Sequence, residues 1–438
     1  MVNPAPFPNN RALWLLFLAN SISGAAQGIS LIAIPWYFID QLKEPVLLTR
    51  FYGIITVVSM VWVIYAGALI DRFHRQRIFM ALTAVCGALI LSVAAWGFWQ
   101  DGLSKAAILL VMAVTLLNFN LHYPSLYAFA QELADKSRYA RIVSYLEIQG
   151  QATNVLAGGL AALLLGGIEA DKPFYLMGFL VSMPFDIPAW QIQEVFLLDG
   201  LTYVAAFLLI GAIRYVPQSH YQPEASSALF RIKEGFQFLR SQPKLLWFGV
   251  FSYGVFVSVL VQDRLILPEY VRVQLNSAAD VFASSDMLFA FGALVSGVIT
   301  RRLFGKMSPI AGVSILMISL SVLYASMAFN HSLRYLFFFS FVYGYVNTGV
   351  RILRVTYLFH TVPNHIIGRL LSFFKVADTA MRASFIALFS LSFFHEGTNI
   401  RYAYLVFGIF ILSFGLAILP TIRPLTQKMK DTHVDETR

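Results

Sequence analysis

Charge is what this sequence lacks. Only 13% of its 438 residues are Asp, Glu, Lys or Arg, where a soluble domain carries about 25%, so a chain wrapped in water on all sides is excluded. Cysteine is all but missing: Cys86 stands alone inside an apolar run, which rules out an intrachain disulfide and a thiolate metal cluster. No G-x-x-x-x-G-K-[ST] phosphate loop occurs, so this chain does not spend ATP on its own. No H-E-x-x-H occurs either, since "HEGTN" at His395 has no second histidine, and His360 with His365 merely flanks a loop. Neither a metal site nor an organic cofactor is expected. With no nucleophile or metal constellation near one face, the chain is not expected to be an enzyme.

What is present is apolar length. Hydrophobic residues make up 58% of the chain and aromatics 15%, with 39 Phe, and mean hydropathy is +0.68. A membrane span needs about 20 apolar residues, and twelve such runs can be drawn. The first six are Leu13–Ile39, Phe51–Ile70, Ile78–Trp99, Ala106–Ala130, Ile142–Gly167 and Val195–Ile213. The second six are Leu245–Leu267, Phe282–Leu303, Pro309–Phe329, Leu333–Phe359, Ile366–Phe394 and Tyr402–Leu419. The run after Asn9-Asn10-Arg11 is too long for a signal-peptide core and reads as the first span. The expected fold is therefore all-α and membrane-embedded, twelve transmembrane helices in two six-helix bundles, residues 1–213 and 245–438, joined by a linker over 214–244.

The formal charge of +9 does not point to nucleic acid, because the basic residues concentrate in alternate gaps. With both termini cytoplasmic, only Lys43, Arg50, Lys105, Lys172, Arg264, Arg272, Arg334 and Arg401 of the 32 Lys and Arg fall outside, the asymmetry that sets membrane orientation. In the linker, "LFRIKEGFQFLRSQP" repeats Leu229, Ile232, Phe236 and Leu239 at helical spacing between basic residues. This predicts an amphipathic helix lying on the cytoplasmic leaflet, or a solvated linker helix. The segment 168–194 carries three prolines and four carboxylates, Glu169, Asp171, Asp186 and Glu194. It is too broken to span, so a re-entrant or surface-lying lid is expected.

"GALIDRFHRQR" packs a carboxylate and three arginines between two apolar runs. Asp71 ends a helix where the dipole disfavours an anion, and Gly67, one turn back, permits close helix approach, which together suggest a charge-latched helix contact. The stretch resembles the G-x-x-x-D-R-x-G-R-R/K signature of the major facilitator superfamily, with Gly67, Asp71, Arg72 and Arg75 matching and His74 and Gln76 departing. That resemblance implies a twelve-helix transporter in which these four residues gate the cytoplasmic side. "GVITRR" repeats the spacing at Gly297 and Arg301. The residues from "LHYPSLYAFAQEL" through "AGGLAALLL", together with "IKEGFQFLRSQPKL" and "VPNHIIGRLLS", are similar to the enterobactin-exporter and macrolide-efflux branch, in which a proline, here Pro124, ends the fourth helix and glycines, here Gly158 and Gly159, line the fifth. Many relatives there carry an acid in the first helix about where Gln27 stands.

Charges at membrane depth are functional candidates by default. Lys375, Asp378 and Arg382 share one face of span eleven, and Asp378 falls roughly 14 Å from Arg369. Two cations about one anion favour a carboxylate-bearing ligand; a self-satisfied structural triad is the alternative. Span ten adds Asn347, Arg351 and Arg354, the last near enough to the cytoplasm to snorkel. Asp263-Arg264 reads as a pair at the outer rim, and Asn20, Gln27, Asn118, Gln151 and Asn154 as polar lining of spans one, four and five. For a proton carrier, Asp378 leads, with Asp263 and Glu147 behind.

The function expected from these readings is a monomeric secondary transporter in the bacterial cytoplasmic membrane. It would use the proton gradient to export a small organic molecule, anionic and siderophore-like. Uptake of a metal–siderophore complex or nutrient, and a non-transporting receptor or assembly protein, remain open.

Overall fold

The computed structural model describes residues 10–72, 74–133, 139–215, 228–362, 364–427 and 429, with backbone only at 63–72, 128, 131, 139–141, 143–144, 228–229, 231–232 and 364–365. Long apolar runs become long helices because lipid offers the backbone no hydrogen-bond partner but itself. In order these are α1 (Asn10–Asp40), α2 (Pro45–Arg72), α3 (Arg75–Trp99), α4 (Lys105–Leu133), α5 (Tyr139–Gly166), strands β1 (Phe174–Leu176) and β2 (Phe179–Val181), α6 (Ile192–Gly211) and α7 (Ala228–Arg240). Span seven follows as α8 (Pro243–Ser252), α9 (Gly254–Val261) and α10 (Leu267–Glu269), with π-helical turns at Gln262–Ile266 and Tyr270–Gln274. Then come α11 (Ala279–Phe304), α12 (Pro309–Met327), α13 (Leu333–Thr361), α14 (Asn364–Phe389) and α15 (Arg401–Ile418).

Among the described residues, 11 helical segments are long and apolar enough to cross a membrane. The twelfth, α14, has 26 residues and falls short on composition, carrying Arg369, Lys375, Asp378 and Arg382. Packing divides the chain into two units that do not follow the sequence halves everywhere. Unit 1 takes in the described residues of 1–37, 58–174 and 180–225; unit 2 those of 38–57, 175–179 and 226–438.

In unit 1, glycines set the helix spacing around α6. A Cβ added at Gly87 of α3 would lie 2.8 Å from Tyr203 Cβ, and one at Gly200 of α6 would lie 2.6 Å from Leu91 Cγ. These two close approaches fix how Asp199 and Tyr203 face α3. On α1, Gly28 is equally tight against Ala157 of α5, at 2.6 Å. Pro124 does not end the fourth helix; it lies inside α4, which continues to Leu133, because a proline costs one hydrogen bond and a bend without forbidding the next turn.

In unit 2, α11 and α13 cross backbone against backbone. A Cβ at Gly292 would sit 2.0 Å from the Phe341 carbonyl oxygen, and one at Gly344 1.9 Å from that of Phe289. Behind it, Tyr324, Phe339, Tyr343 and Tyr404 form a buried aromatic core.

Two expectations change. The helix α7 does not simply lie on lipid: Gly235 packs on the backbone of α14, where a Cβ would meet the Arg369 carbonyl oxygen at 2.4 Å, Glu234 pairs with Arg369 at 2.8 Å, and Leu239 is fully buried. Of its apolar stripe, Leu239 is covered by protein and Phe236, like Phe230, is exposed, while the side chains of Leu229 and Ile232 lie outside the described residues. Within the 168–194 segment, where a re-entrant or surface-lying lid is expected, β1 and β2 form a hairpin. Its tip, Met177-Gly178, has both φ values positive, 52° and 82°, the turn that right-twisted strands require. Its base is an Ile168–Ile187 bridge. The tip docks within unit 2, where Tyr175 N–H donates to Asp280 Oδ2 at 2.6 Å and Ser284 Oγ donates to the Tyr175 carbonyl at 2.9 Å.

Candidate functional site

Unit 1 holds a small cleft of about 40 Å³, lined by α1, α4 and α5 through Asn20, Gln27, His122, Tyr123, Thr153 and Asn154, among others. Small residues open it: Gly24 and Gly28 on α1 and Gly150 on α5 form part of its wall. His122 Nε2 and Asn20 Oδ1 are 2.8 Å apart. Gln27 Nε2 donates to the Tyr203 hydroxyl at 3.1 Å, and Asn118 Nδ2 donates to the same oxygen at 3.0 Å. Asn118 thus belongs to the layer behind the cleft. Gln151 is half-buried on α5 and does not line it. Glu147 accepts from Tyr127 Oη at 2.7 Å. Deeper still, Ser30 Oγ donates to Asp199 Oδ2 at 2.8 Å, and Asp199 is fully buried.

Unit 2 gathers charge on α14. Lys375 Nζ stands 3.4 Å and Arg382 Nη2 3.6 Å from Asp378 Oδ2, and Arg382 also donates to Thr379 Oγ1 at 3.2 Å. Asp378 is fully buried, while the Lys375 side chain is 45% exposed and that of Arg382 15%. The triad predicted from spacing is therefore assembled, with Lys375 as its accessible group. Tyr52 of α2 hydrogen-bonds Arg382 and feels the charges of Arg264 and Asp263. Asp263 in turn lies in the field of Asp286 on α11 and of Arg264.

Asp263 and Arg264 are not at a rim. They occupy the π-helical turn Gln262–Ile266, and the helix runs on to Gln274, about 15 Å further along the axis. The sequence boundary stopped at Leu267 because Pro268 and Glu269 look like an ending. In the structure Pro268 lies inside the continuing helix, directly after the π-helical turn, and Glu269 meets His395 Nδ1 at 2.8 Å. A π-turn carrying charge in mid-helix is a recurrent mark of function.

Arg354 does not snorkel. It is 5% exposed, donates from Nη1 to the Ser252 carbonyl at 2.9 Å, and stacks 3.6 Å from the Tyr253 ring centroid. The break between α8 and α9 frees that carbonyl, and the guanidinium takes it. Asn347 and Arg351 are half-buried on the same helix, α13, with Arg351 within electrostatic range of Arg354.

At the motif between α2 and α3, the side chains of Gly67, Asp71 and Arg72 lie outside the described residues. Gln76, one of the two departures from the family signature, has a job of its own: Nε2 donates to the carbonyls of Ile210 and Ile213 at 2.8 and 2.9 Å, capping the end of α6. Beside it, Tyr215 donates to Glu132 at 3.2 Å. Burial first, and then that carboxylate, push the phenol up to about 12, while Arg75 pulls the other way. Replacing Gln76 with alanine strands two helix-end carbonyls and is expected to cost about 1–2 kcal/mol, read as a lowered melting temperature in detergent. The echo at Gly297 makes no close approach, since nothing lies within 4 Å of a Cβ built there.

The residues sequence reasoning passed over are Asp199, Tyr203, His122 and Asp286. Asp199 carried a readable signal: it is the lone charge between Val195 and Ile213, the criterion that singled out Asp378.

A family model for the Major Facilitator Superfamily matches residues 3–158 and 123–383. The multidrug efflux pump Tap of Mycobacterium tuberculosis is 23% identical over 311 residues, covering 67% of this chain and 68% of Tap. Among solved structures, a mutant of the nucleoside transporter NupG superposes with a TM-score of 0.72 at 11% identity, over 93% of this chain and 99% of that one. A bacterial homologue of the iron transporter ferroportin gives 0.65 at 15%, over 93% and 98%. Identities this low carry the fold and not the cargo. Matched by the family model across most of its length and sharing its helical fold over 93% of the chain with a solved transporter, the chain belongs to the Major Facilitator Superfamily and is a multi-pass membrane transporter, not an enzyme.

Proposed function

We propose that this transporter exports a small, acid-bearing organic molecule from a bacterial cytoplasmic membrane by alternating access, driven by the proton gradient. The observation that carries the reading is the charge order on α14. Asp378 is covered, and the charge left accessible is the Lys375 ammonium, so the triad presents a cationic face to whatever reaches it. A carboxylate or catecholate meeting that ammonium would compete for Asp378's partner, and the acid so released can exchange a proton. This links cargo to coupling through one group. The efflux activity in the printed name of Tap supports the outward direction. The lopsided Lys and Arg distribution supports cytoplasmic termini, and the matched motif residues Gly67, Asp71, Arg72 and Arg75 are the latch on that side. The resemblance to the enterobactin-exporter and macrolide-efflux branch supports a siderophore-like metabolite as cargo.

The test is a reconstituted flux screen of catechol carboxylates against ethidium, with and without an imposed pH gradient, in vesicles of known protein orientation. Gradient-driven movement of the acids from the cytoplasmic face outward is expected. Movement of ethidium alone overturns the acid-bearing cargo, and inward accumulation of the acids, free or as iron complexes, overturns export.

A further inference from the structure

Unit 1 contains a buried acid that stands apart from the α14 triad. Asp199 is fully covered, and its one recorded hydrogen-bond donor is Ser30, on Oδ2. Its Oδ1 has no partner, and among the described residues Asp199 forms no ion pair. One turn along α6, the Tyr203 oxygen accepts from both Gln27 and Asn118, so the tyrosine's own hydrogen is free of that oxygen's two neighbours and points elsewhere. Asn118 Oδ1 is also unpartnered. Gln27 lines the cleft. Polar contacts therefore link the cleft to Tyr203 through Gln27, and Tyr203 stands one turn from Asp199 and within its field.

Buried polar atoms without partners are uncommon and call for an explanation. A buried carboxylate is expected to be held by its full set of donors or by a cation; Asp378, whose Oδ1 is likewise open, has the cations Lys375 and Arg382. Asp199 has neither. The titratable groups in its field are Tyr203 on its own helix and Cys86 on α3. From α1 it meets Ser30, and around Tyr203 stand Gln27 of α1 and Asn118 of α4, none of which titrates. No fixed cation holds the charge in place, so the proton is the natural counter-ion.

We propose that Asp199 is a proton-carrying residue of unit 1, taking up and releasing at Oδ1 a proton that accompanies transport. Hydronium in the cleft gives up the proton to the carboxylate, leaving water, and the carboxyl returns it to water when next wetted. This rests on the proton-coupled reading above and adds a second carrier to Asp378.

The experiment uses the full chain in proteoliposomes. Infrared spectra across pH are expected to show a protonated-carboxyl band in the wild type that is missing in Asp199→Asn and kept in Asp378→Asn. In parallel, calcein and ethidium flux under an imposed pH gradient is expected to fall about ten-fold or more in Asp199→Asn, with gradient-free exchange kept and Asp199→Glu partly restoring the driven flux. An unchanged band in Asp199→Asn overturns the proposal, as does unchanged driven flux beside a gradient-dependent wild type. A wild type indifferent to the gradient overturns the proton-coupled reading as well. If Asp199→Asn does not fold, Ser30→Ala carries the test. Loss of the one recorded donor is expected to move the band's midpoint by about half a pH unit or more, and an unmoved midpoint overturns the assignment.

Discussion

Asp378→Asn is expected to lower pH-gradient-driven transport about a hundred-fold while leaving a folded protein that melts a few degrees early. Asparagine keeps the shape and one carbonyl oxygen but not the charge, so Lys375 and Arg382 lose the anion that stands 3.4 and 3.6 Å from them. Removing one partner of a buried pair strands the other. Arg382 is the stranded group, since its side chain is 15% exposed, whereas Lys375 at 45% can turn to water and contributes little. The two distances are long for charge-assisted hydrogen bonds, which places the cost at about 1–3 kcal/mol. Stability and coupling separate in the triple variant Lys375→Gln, Asp378→Asn, Arg382→Gln. A neutral triad strands nothing, so the melting temperature should recover while driven flux stays lost. Wild-type flux from the neutral triad would show that the charges serve packing alone.

How much of this could be read beforehand depends on the range of the interaction. Runs of apolar residues are local: among the described residues eleven of them became helical segments able to cross a membrane, and a twelfth became α14. The α14 triad is local too, because residues three and four apart share a helix face, and it formed as its spacing implied. Partners far apart in the chain were out of reach. Ser30 and Asp199 are 169 residues apart, and no periodicity announces their meeting, although the lone acid in "LLDGLTYV" was itself visible. Arg354 looked like a snorkelling residue because its partner is a carbonyl exposed by the break between α8 and α9, and that break has no proline or glycine pair of its own to mark it. In the 168–194 segment, Met177-Gly178 between "FYL" and "FLV" is a legible hairpin signal, masked by the prolines around it.

The largest stability effect is expected at the crossing of α11 and α13. Gly344→Ala puts a methyl carbon 1.9 Å from the carbonyl oxygen of Phe289, and Gly292→Ala does the reciprocal thing, 2.0 Å from that of Phe341. Both obstacles are backbone, so no side-chain rotation relieves them, and the helices must part by more than about 1 Å to restore ordinary contact distances. Separation loosens the seat of Tyr343, whose hydroxyl meets Ser258 at 3.1 Å and whose ring packs on Tyr324 and Phe339. Overpacking costs about 1–3 kcal/mol where side chains can shift, and this site exceeds that range because they cannot. Either substitution should therefore abolish recovery of monodisperse protein in detergent. Gly297→Ala on the same helix faces open space and should be neutral or slightly stabilising, since alanine is the better helix former. The double variant should cost little more than either single one, because a crossing already prised open by one methyl accepts the second. Additive losses would mean that the two glycines act as separate contacts and not as one reciprocal crossing.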